Sequence, residues 1–393
     1  MRRRDNGAMS SLGIPSHTTR KLSNACWALR GQFFVAGAMF ATWGVHVPTV
    51  KVHYAIGEQA LGLAMLAAGV GGVTLLTLAG RIVGRFGPRN IALCMGLVCA
   101  LCVASLLVSN SYLILIGLML VYGGCASLFD VSINAEASEI ERLTARPLMS
   151  GFHALFSLGG MVGAAVGAVL PSLSVAPSQH LVLAALVCCS IVVAGCTGML
   201  RMNGLPARGV PLSLPRGPLA LIGVLAAIGL IGEGAIYDWS VLFMKQELKS
   251  DAGIAALAYA SFSSAMASGR FIGDAVRARM DSVTLLRLSG GFAGVGMALA
   301  LLVPNPFFAL FGFALVGVGL SNVVPVLFSA AARVPGTTAA HGIAAVSSVG
   351  YLGMMAGPPL VGVIAESSSL SAGLFIVVIF SVLLAAFARR ALP

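Results

Sequence analysis

Twelve apolar runs, each close to the length that crosses a bilayer, leave this chain few ways to fold. They lie at approximately 31–50, 60–83, 89–108, 112–134, 149–171, 180–200, 218–244, 254–276, 283–303, 306–330, 342–365 and 371–388. A helix of about 20 apolar residues spans the hydrocarbon core. Only 9% of the residues are charged, whereas soluble domains carry roughly a quarter. A solvated surface cannot be built from so few charges. The expectation is an all-α polytopic membrane protein with twelve transmembrane helices, its first partner the lipid bilayer. The 48 glycines suit helices that pack closely in lipid on small residues.

Two connectors are longer than the rest, residues 135–148 and 201–217. The second, RMNGLPARGVPLSLPRG, is rich in Pro, Gly and Arg and falls near the middle of the chain. It divides an N-terminal six-helix bundle (31–200) from a C-terminal one (218–388). Residues 1–30 read as a basic, disordered tail and 389–393 as a short second tail. The N-terminus has no apolar core ahead of a small-residue cleavage site, so the first helix reads as an uncleaved signal anchor. If the N-terminus is inside and the spans alternate, 21 of the 24 Lys and Arg fall inside and only Lys51, Lys245 and Lys249 outside. That bias places both termini in the cytoplasm.

The halves echo each other. Gly80-Arg81-Ile82-Val83-Gly84 closes the second run, and Gly269-Arg270-Phe271-Ile272-Gly273 closes the eighth, 189 residues later. GFHALFSLGGMVG at 151 and GIAAVSSVGYLGM at 342 open the fifth and eleventh runs, 191 residues apart. Such offsets fit a tandem repeat of six helices with a site near the midplane between the halves.

The net charge of +11 does not argue for nucleic acid, because the bases sit in connectors rather than along one face. Seven of the eight cysteines lie inside apolar runs and Cys26 lies in the basic N-terminal segment, so no disulfide framework is expected. Cys99-Ala-Leu-Cys102 lacks the further His or Cys partners of a metal site.

GRIVGRFGPRN (80–90) resembles the inter-helix signature of the major facilitator superfamily, with Gly80, Arg85, Gly87 and Arg89 in matching places. Gly84 stands where the family has an acid. That acid helps a cytoplasmic latch between the halves, so the resemblance implies a differently built latch, with Arg85 and Arg89 as gating residues. FDVSINAEASEIE (129–141), SGFHALFSLGG (150–160), GEGAIYDWS (232–240), GRFIGD (269–274) and GYLGMMAGPPLVG (350–362) are similar to the YbjJ-type branch of bacterial inner-membrane permeases. A looser similarity to fucose–proton symporters accompanies it. The resemblance covers about the whole helical part and implies two six-helix bundles with pseudo-two-fold symmetry, acting as a monomer, while leaving the substrate unnamed.

An acid inside a span is costly and marks a cavity or pathway by default. From Pro218 to Met244 the chain has no Lys or Arg, yet it keeps Glu233 and Asp238. Glu233 lies about 15 residues into its run, roughly 22 Å along a helix, and is flanked by Gly232 and Gly234. It reads either as a proton-coupling carboxylate or as a hydrogen-bonded packing residue. Asp238, about 140° further around, reads as an outer gate or a packing group. Tyr237 shares the face of Glu233. Asp130 and Asn134 form an i, i+4 pair near the inner end of the fourth run, with Asp130 a second coupling candidate and Asn134 a cavity residue. Glu136, Glu139 and Glu141 read as an inner gate or a solvated loop.

His46, beside Trp43, and His153 are near-neutral titrating groups. His46 is taken as a third coupling candidate and His153 as cavity lining, although either alone is equally a packing residue. Trp43, Phe156, Asn322, Ser347 and Tyr351 complete the expected lining. Arg270 and Asp274, also i, i+4, are expected to pair at the inner end of the eighth run as a gating element. Pro325, Pro358 and Pro359 are expected to bend their helices.

No phosphate-binding Gly-Lys-Ser/Thr loop, HExxH motif or Gly-x-Ser-x-Gly elbow occurs, so no cofactor, metal or enzymatic chemistry is expected. The leading expectation is a secondary transporter moving a small polar solute, coupled to protons, by alternating access. Proton-driven efflux of a metabolite or toxic compound, and a transport-inactive receptor or scaffold, are the alternatives.

Overall fold

The computed structural model describes residues 16–144, 148–201, 215–335 and 339–392. The expected tail before residue 16 and most of the central linker lie outside the described residues. Thirteen α-helices follow in order: α1 (Ser16–His53), α2 (Glu58–Phe86), α3 (Pro88–Ala104), α4 (Tyr112–Thr144), α5 (Met149–Val169), α6 (Pro177–Gly198), α7 (Pro218–Gln246), α8 (Ala252–Arg277), α9 (Ser282–Leu302), α10 (Pro306–Leu320), α11 (Val323–Ala331), α12 (Ala339–Ser367) and α13 (Leu370–Ala391). Consecutive α10 and α11 form one broken span, so the thirteen helices make twelve crossings. Among the described residues, ten spans are long and apolar enough to cross a membrane. The other two are α3, at 17 residues, and α8, which carries Ser261, Ser263, Ser264, Ser268 and Arg270.

Helix starts follow local chemistry. Pro stands in the first turn of α3, α6, α7 and α10, where its missing N–H has no intrahelical partner to lose. Asp281 accepts from the Thr284 backbone N–H at 2.9 Å to start α9, and Ser369 accepts from that of Ala372 at 3.1 Å to start α13. At the α2–α3 joint Gly87 has φ 80° and ψ 146°, a conformation that clashes with a Cβ. Replacing Gly87 with alanine should cost about 1–3 kcal/mol, read as earlier thermal unfolding in detergent.

Two helices depart from expectation. α1 begins at Ser16 rather than near residue 31, because Leu22, Ala25, Ala28 and Leu29 extend its apolar face and are buried. The tenth run breaks at Ser321–Asn322: the Ser321 hydroxyl donates to the Val318 carbonyl (2.7 Å), and Asn322 Nδ2 donates to the Gly269 carbonyl of α8 (3.3 Å). Pro325 falls in the first turn of α11, where it is tolerated. Pro358 and Pro359, by contrast, lie within a continuous α12.

The packing has internal symmetry. In the first bundle α1 packs on α5 and α6, α4 on α2 and α3, and α3 on α6. In the second, α7 packs on α12 and α13, α10 on α8 and α9, and α9 on α13, the same scheme six spans on. The bundles meet through α2–α12, α5–α8 and α1–α7, again a self-related set. This is the pseudo-two-fold, two-bundle architecture the repeat suggested.

Candidate functional site

The contacts between bundles concentrate at the end far from the linker. There Lys51 of α1 pairs with Glu58 of α2. The Gln246 amide at the end of α7 joins them: with its oxygen and nitrogen exchanged to suit these neighbours, it donates to Glu58 Oε1 (3.0 Å) and accepts from Lys51 Nζ (2.6 Å). Glu366 of α12 accepts from the Gln59 backbone N–H at 3.2 Å, beside Glu58. Four polar side chains from both bundles therefore tie this end shut.

Beneath that lock lies an aromatic layer. Tyr237 of α7 stacks edge-on to Phe40 of α1 (5.6 Å between centroids) and to Phe262 of α8 (4.8 Å), and tilts against Tyr259 (4.9 Å). Trp43 of α1 is buried and lies close to Asp238 of α7 across the bundle boundary. Aromatic rings and a desolvated polar pair seal the middle of the molecule.

Past this layer, toward the linker end, the bundles part. Asp130, Arg270 and Tyr351 lie inside their spans, His153 lies near the start of α5, and all four are nonetheless solvent-exposed, Tyr351 at 50%. Their exposure comes from a gap between the bundles. Asp130 of α4 faces Tyr351 of α12, and His153 of α5 faces Arg270 of α8. Both pairs cross the boundary. Asn134 Nδ2 donates to Asp130 Oδ1 at 3.0 Å and to its backbone carbonyl at 2.9 Å. The wall is completed by Glu233, whose two carboxylate oxygens accept from Arg270 Nη2 at 3.1 and 3.2 Å.

The last contact gives Arg270 a partner the sequence did not suggest. α7 and α8 lie side by side, and the long Arg270 side chain reaches across to Glu233. The Asp274 side chain lies outside the described residues. Glu233 is thus held by Arg270 near the middle of α7.

Other expected residues are placed elsewhere. His46 is buried inside the first bundle, its Nε2 2.9 Å from Nδ1 of His180, so it does not reach the cavity. Asn322 is buried at the α10–α11 break and committed to Gly269 and Ser321. Tyr237 belongs to the sealing layer, Phe156 and Ser347 are half-buried, and Asp238 lies close to Trp43. Arg85 stacks on its neighbour Phe86, 5.3 Å from the ring. Arg89 faces Glu136 within the first bundle rather than the second bundle. Glu136 is fully buried and accepts from the Leu200 backbone N–H (2.7 Å), Glu139 pairs with Arg142, and Glu141 accepts from the Leu148 N–H (2.6 Å). All three acids work inside the first bundle, neither as an inter-bundle gate nor, for Glu136, as a solvated loop.

The polar lock at the end far from the linker was missed. Lys51 offered a signal, being one of three bases on its side, but nothing local links it to Glu58, Gln246 and Glu366.

Comparison with known proteins agrees with this architecture. Residues 29–231 match the family described as Major Facilitator Superfamily. The chain is 33% identical to an uncharacterized MFS-type transporter of Yersinia pestis, over 92% of this chain and 94% of the relative. It is 30% identical to an uncharacterized transporter of Sinorhizobium fredii, covering 94% and 98%. A point mutant of the nucleoside transporter NupG superposes with a TM-score of 0.74 at 13% identity, over 94% of this chain and all of that one. A bacterial homologue of the human lysosomal transporter Spinster, inward-facing and occupied, gives 0.74 at 13% identity, over 94% and 96%. At such identities these two structures speak to the fold alone.

Proposed function

Because this chain belongs to the Major Facilitator Superfamily, we propose that its two bundles rock about the central cavity to carry a small polar solute across a bacterial inner membrane, with protons as the coupling ion. The observation that carries this reading is the set of exposed polar side chains that approach from opposite bundles, Asp130 toward Tyr351 and His153 toward Arg270, in a gap shut at one end only. A gap sealed at one end and open at the other is what alternating access requires. The basic-residue bias assigns the open, linker-bearing end to the cytoplasm. The motifs from GEGAIYDWS to GYLGMMAGPPLVG support the YbjJ-type branch as its subgroup.

Of the three coupling candidates, Asp130 fits the role best. Glu233 is held by Arg270, and His46 is enclosed with His180. Asp130 faces the open cavity with a neutral amide as its hydrogen-bond partner, so it can exchange a proton with water and be carried between the two sides.

Reconstitution in proteoliposomes tests this, using the metabolite that co-purifies with the protein as identified by mass spectrometry. A pH gradient should drive its accumulation, and Asp130→Asn should abolish accumulation while leaving solute counterflow. Gradient-driven accumulation in Asp130→Asn would move the coupling elsewhere. Comparing everted with right-side-out vesicles assigns the direction.

A further inference from the structure

We propose that Glu366 caps α2 across the bundle boundary, so that opening the end far from the linker means breaking a helix cap. The inference rests on the rocking motion of the transporter reading and names a residue that ties the bundles together in the closed state.

It starts from how each helix begins. The first backbone N–H groups of a helix lack intrahelical partners, and a nearby side-chain oxygen usually supplies one. α8, α9, α10 and α13 take theirs from the residue just before the helix, Asp251, Asp281, Asn305 and Ser369. α5 takes its own from Glu141 of the same bundle. α2 begins differently. Its N-cap is Gly57, extended at φ −78° and ψ 176°, with no side chain to offer. The Gln59 N–H, at the second position of the helix, donates instead to Glu366 Oε2 of α12, 307 residues on.

The glycine fits that arrangement. A Cβ at residue 57 would overlap both oxygens of the Glu366 carboxylate. Serine or aspartate, the usual residues at this place, would fill the space the carboxylate occupies. A carboxylate from the second bundle thus does the work of a local cap, and its charge suits the positive end of the helix dipole. Lys51 and Glu58 both belong to the first bundle, so their ion pair survives a separation of the bundles. The Glu366 contact does not.

A contact made only in the closed state shifts the equilibrium when it is removed. A local cap is present on both sides of the equilibrium and shifts nothing. A substitution that strengthens the start of α2 but turns Glu366 away should therefore open the molecule.

The test uses the full chain in lipid nanodiscs, with spin labels at Val52 and Lys249, exposed on opposite bundles. The labels are carried on a non-natural amino acid, so the eight cysteines stay in place. Glu366→Ala should raise the ratio of long- to short-distance populations about 5-fold, the size of a lost N-cap. Gly57→Ser should do the same, although it gives α2 a cap of its own. The double variant should open no further than either single one, since both break one contact. It should also unfold at a higher temperature than Glu366→Ala, because α2 is capped again.

A return of the double variant to wild-type distances would mean that Glu366 only steadies the start of α2, and the inference would fall. It would fall too if Glu366→Ala left the distances unchanged while Gly62→Val, which crowds the backbone of α12, lengthened them; the rocking would then stand. Unchanged distances in every variant, Gly62→Val included, would overturn the rocking as well.

Discussion

Replacing Arg270 with glutamine should destabilise the protein by about 2–4 kcal/mol and abolish transport. The reason lies in what it leaves behind. Glu233 is 12% exposed, and α7 has no Lys or Arg from Pro218 to Met244 to take over. Removing one partner of a buried ion pair costs about 3–5 kcal/mol. Arg270 is 36% exposed to cavity water, and solvent screening lowers the expected figure. Glu233→Gln should be milder, because the guanidinium it frees remains hydrated. The double variant should regain most of the stability lost in Arg270→Gln, so the two changes should be strongly non-additive. Thermal unfolding of the four proteins in one detergent measures this coupling. Additive effects would mean that the pair does not exist as described.

That asymmetry bears on transport. A carboxylate and a guanidinium joined across α7 and α8 hold the two helices of one bundle together, so the pair moves as a unit when the bundle rocks. Asp130 and Tyr351 sit on opposite bundles, so under the proposed rocking their separation would change while the Glu233–Arg270 pair would not.

The spans and their pairing were legible in the sequence because both rest on patterns along the chain. Hydropathy marks each crossing, and the spacing of Gly-Arg-x-x-Gly marks the repeat. The partners of the buried polar groups were not legible. Arg270 has an acid four residues on, which local geometry makes a natural partner, yet its observed bond goes to a residue 37 positions back. His46 looked like a lone titrating group and instead meets His180, 134 residues away. Glu58 and Glu366 sit at helix ends, where carboxylates are common, and only the meeting of the bundles makes them a lock. Tertiary proximity between spans leaves no local trace, whereas the cost of an unpaired charge in lipid guarantees that some partner exists.

Gly62→Val separates the two things that close the outer end, polar bonding and backbone contact. A Cβ at Gly62 on α2 would lie 2.8 Å from the Pro358 carbonyl oxygen and 3.1 Å from the Pro359 Cα on α12. Those are backbone atoms within a continuous helix, so they cannot turn aside as a side chain would. Overpacking of this kind costs about 1–3 kcal/mol, and here the cost falls on the closed arrangement alone, since the contact lies between the bundles. The equilibrium should shift toward the outer-open form by on the order of 10- to 100-fold. The Lys51–Glu58–Gln246–Glu366 cluster is untouched by the substitution. Spin labels at Val52 and Lys249, both exposed at the outer end on opposite bundles, should report a new population at longer distance. Gly62→Ala should show the same change more weakly. An unchanged distance distribution in Gly62→Val would mean that the polar cluster alone holds the outer end shut, and that α2 and α12 have room the structure does not give them.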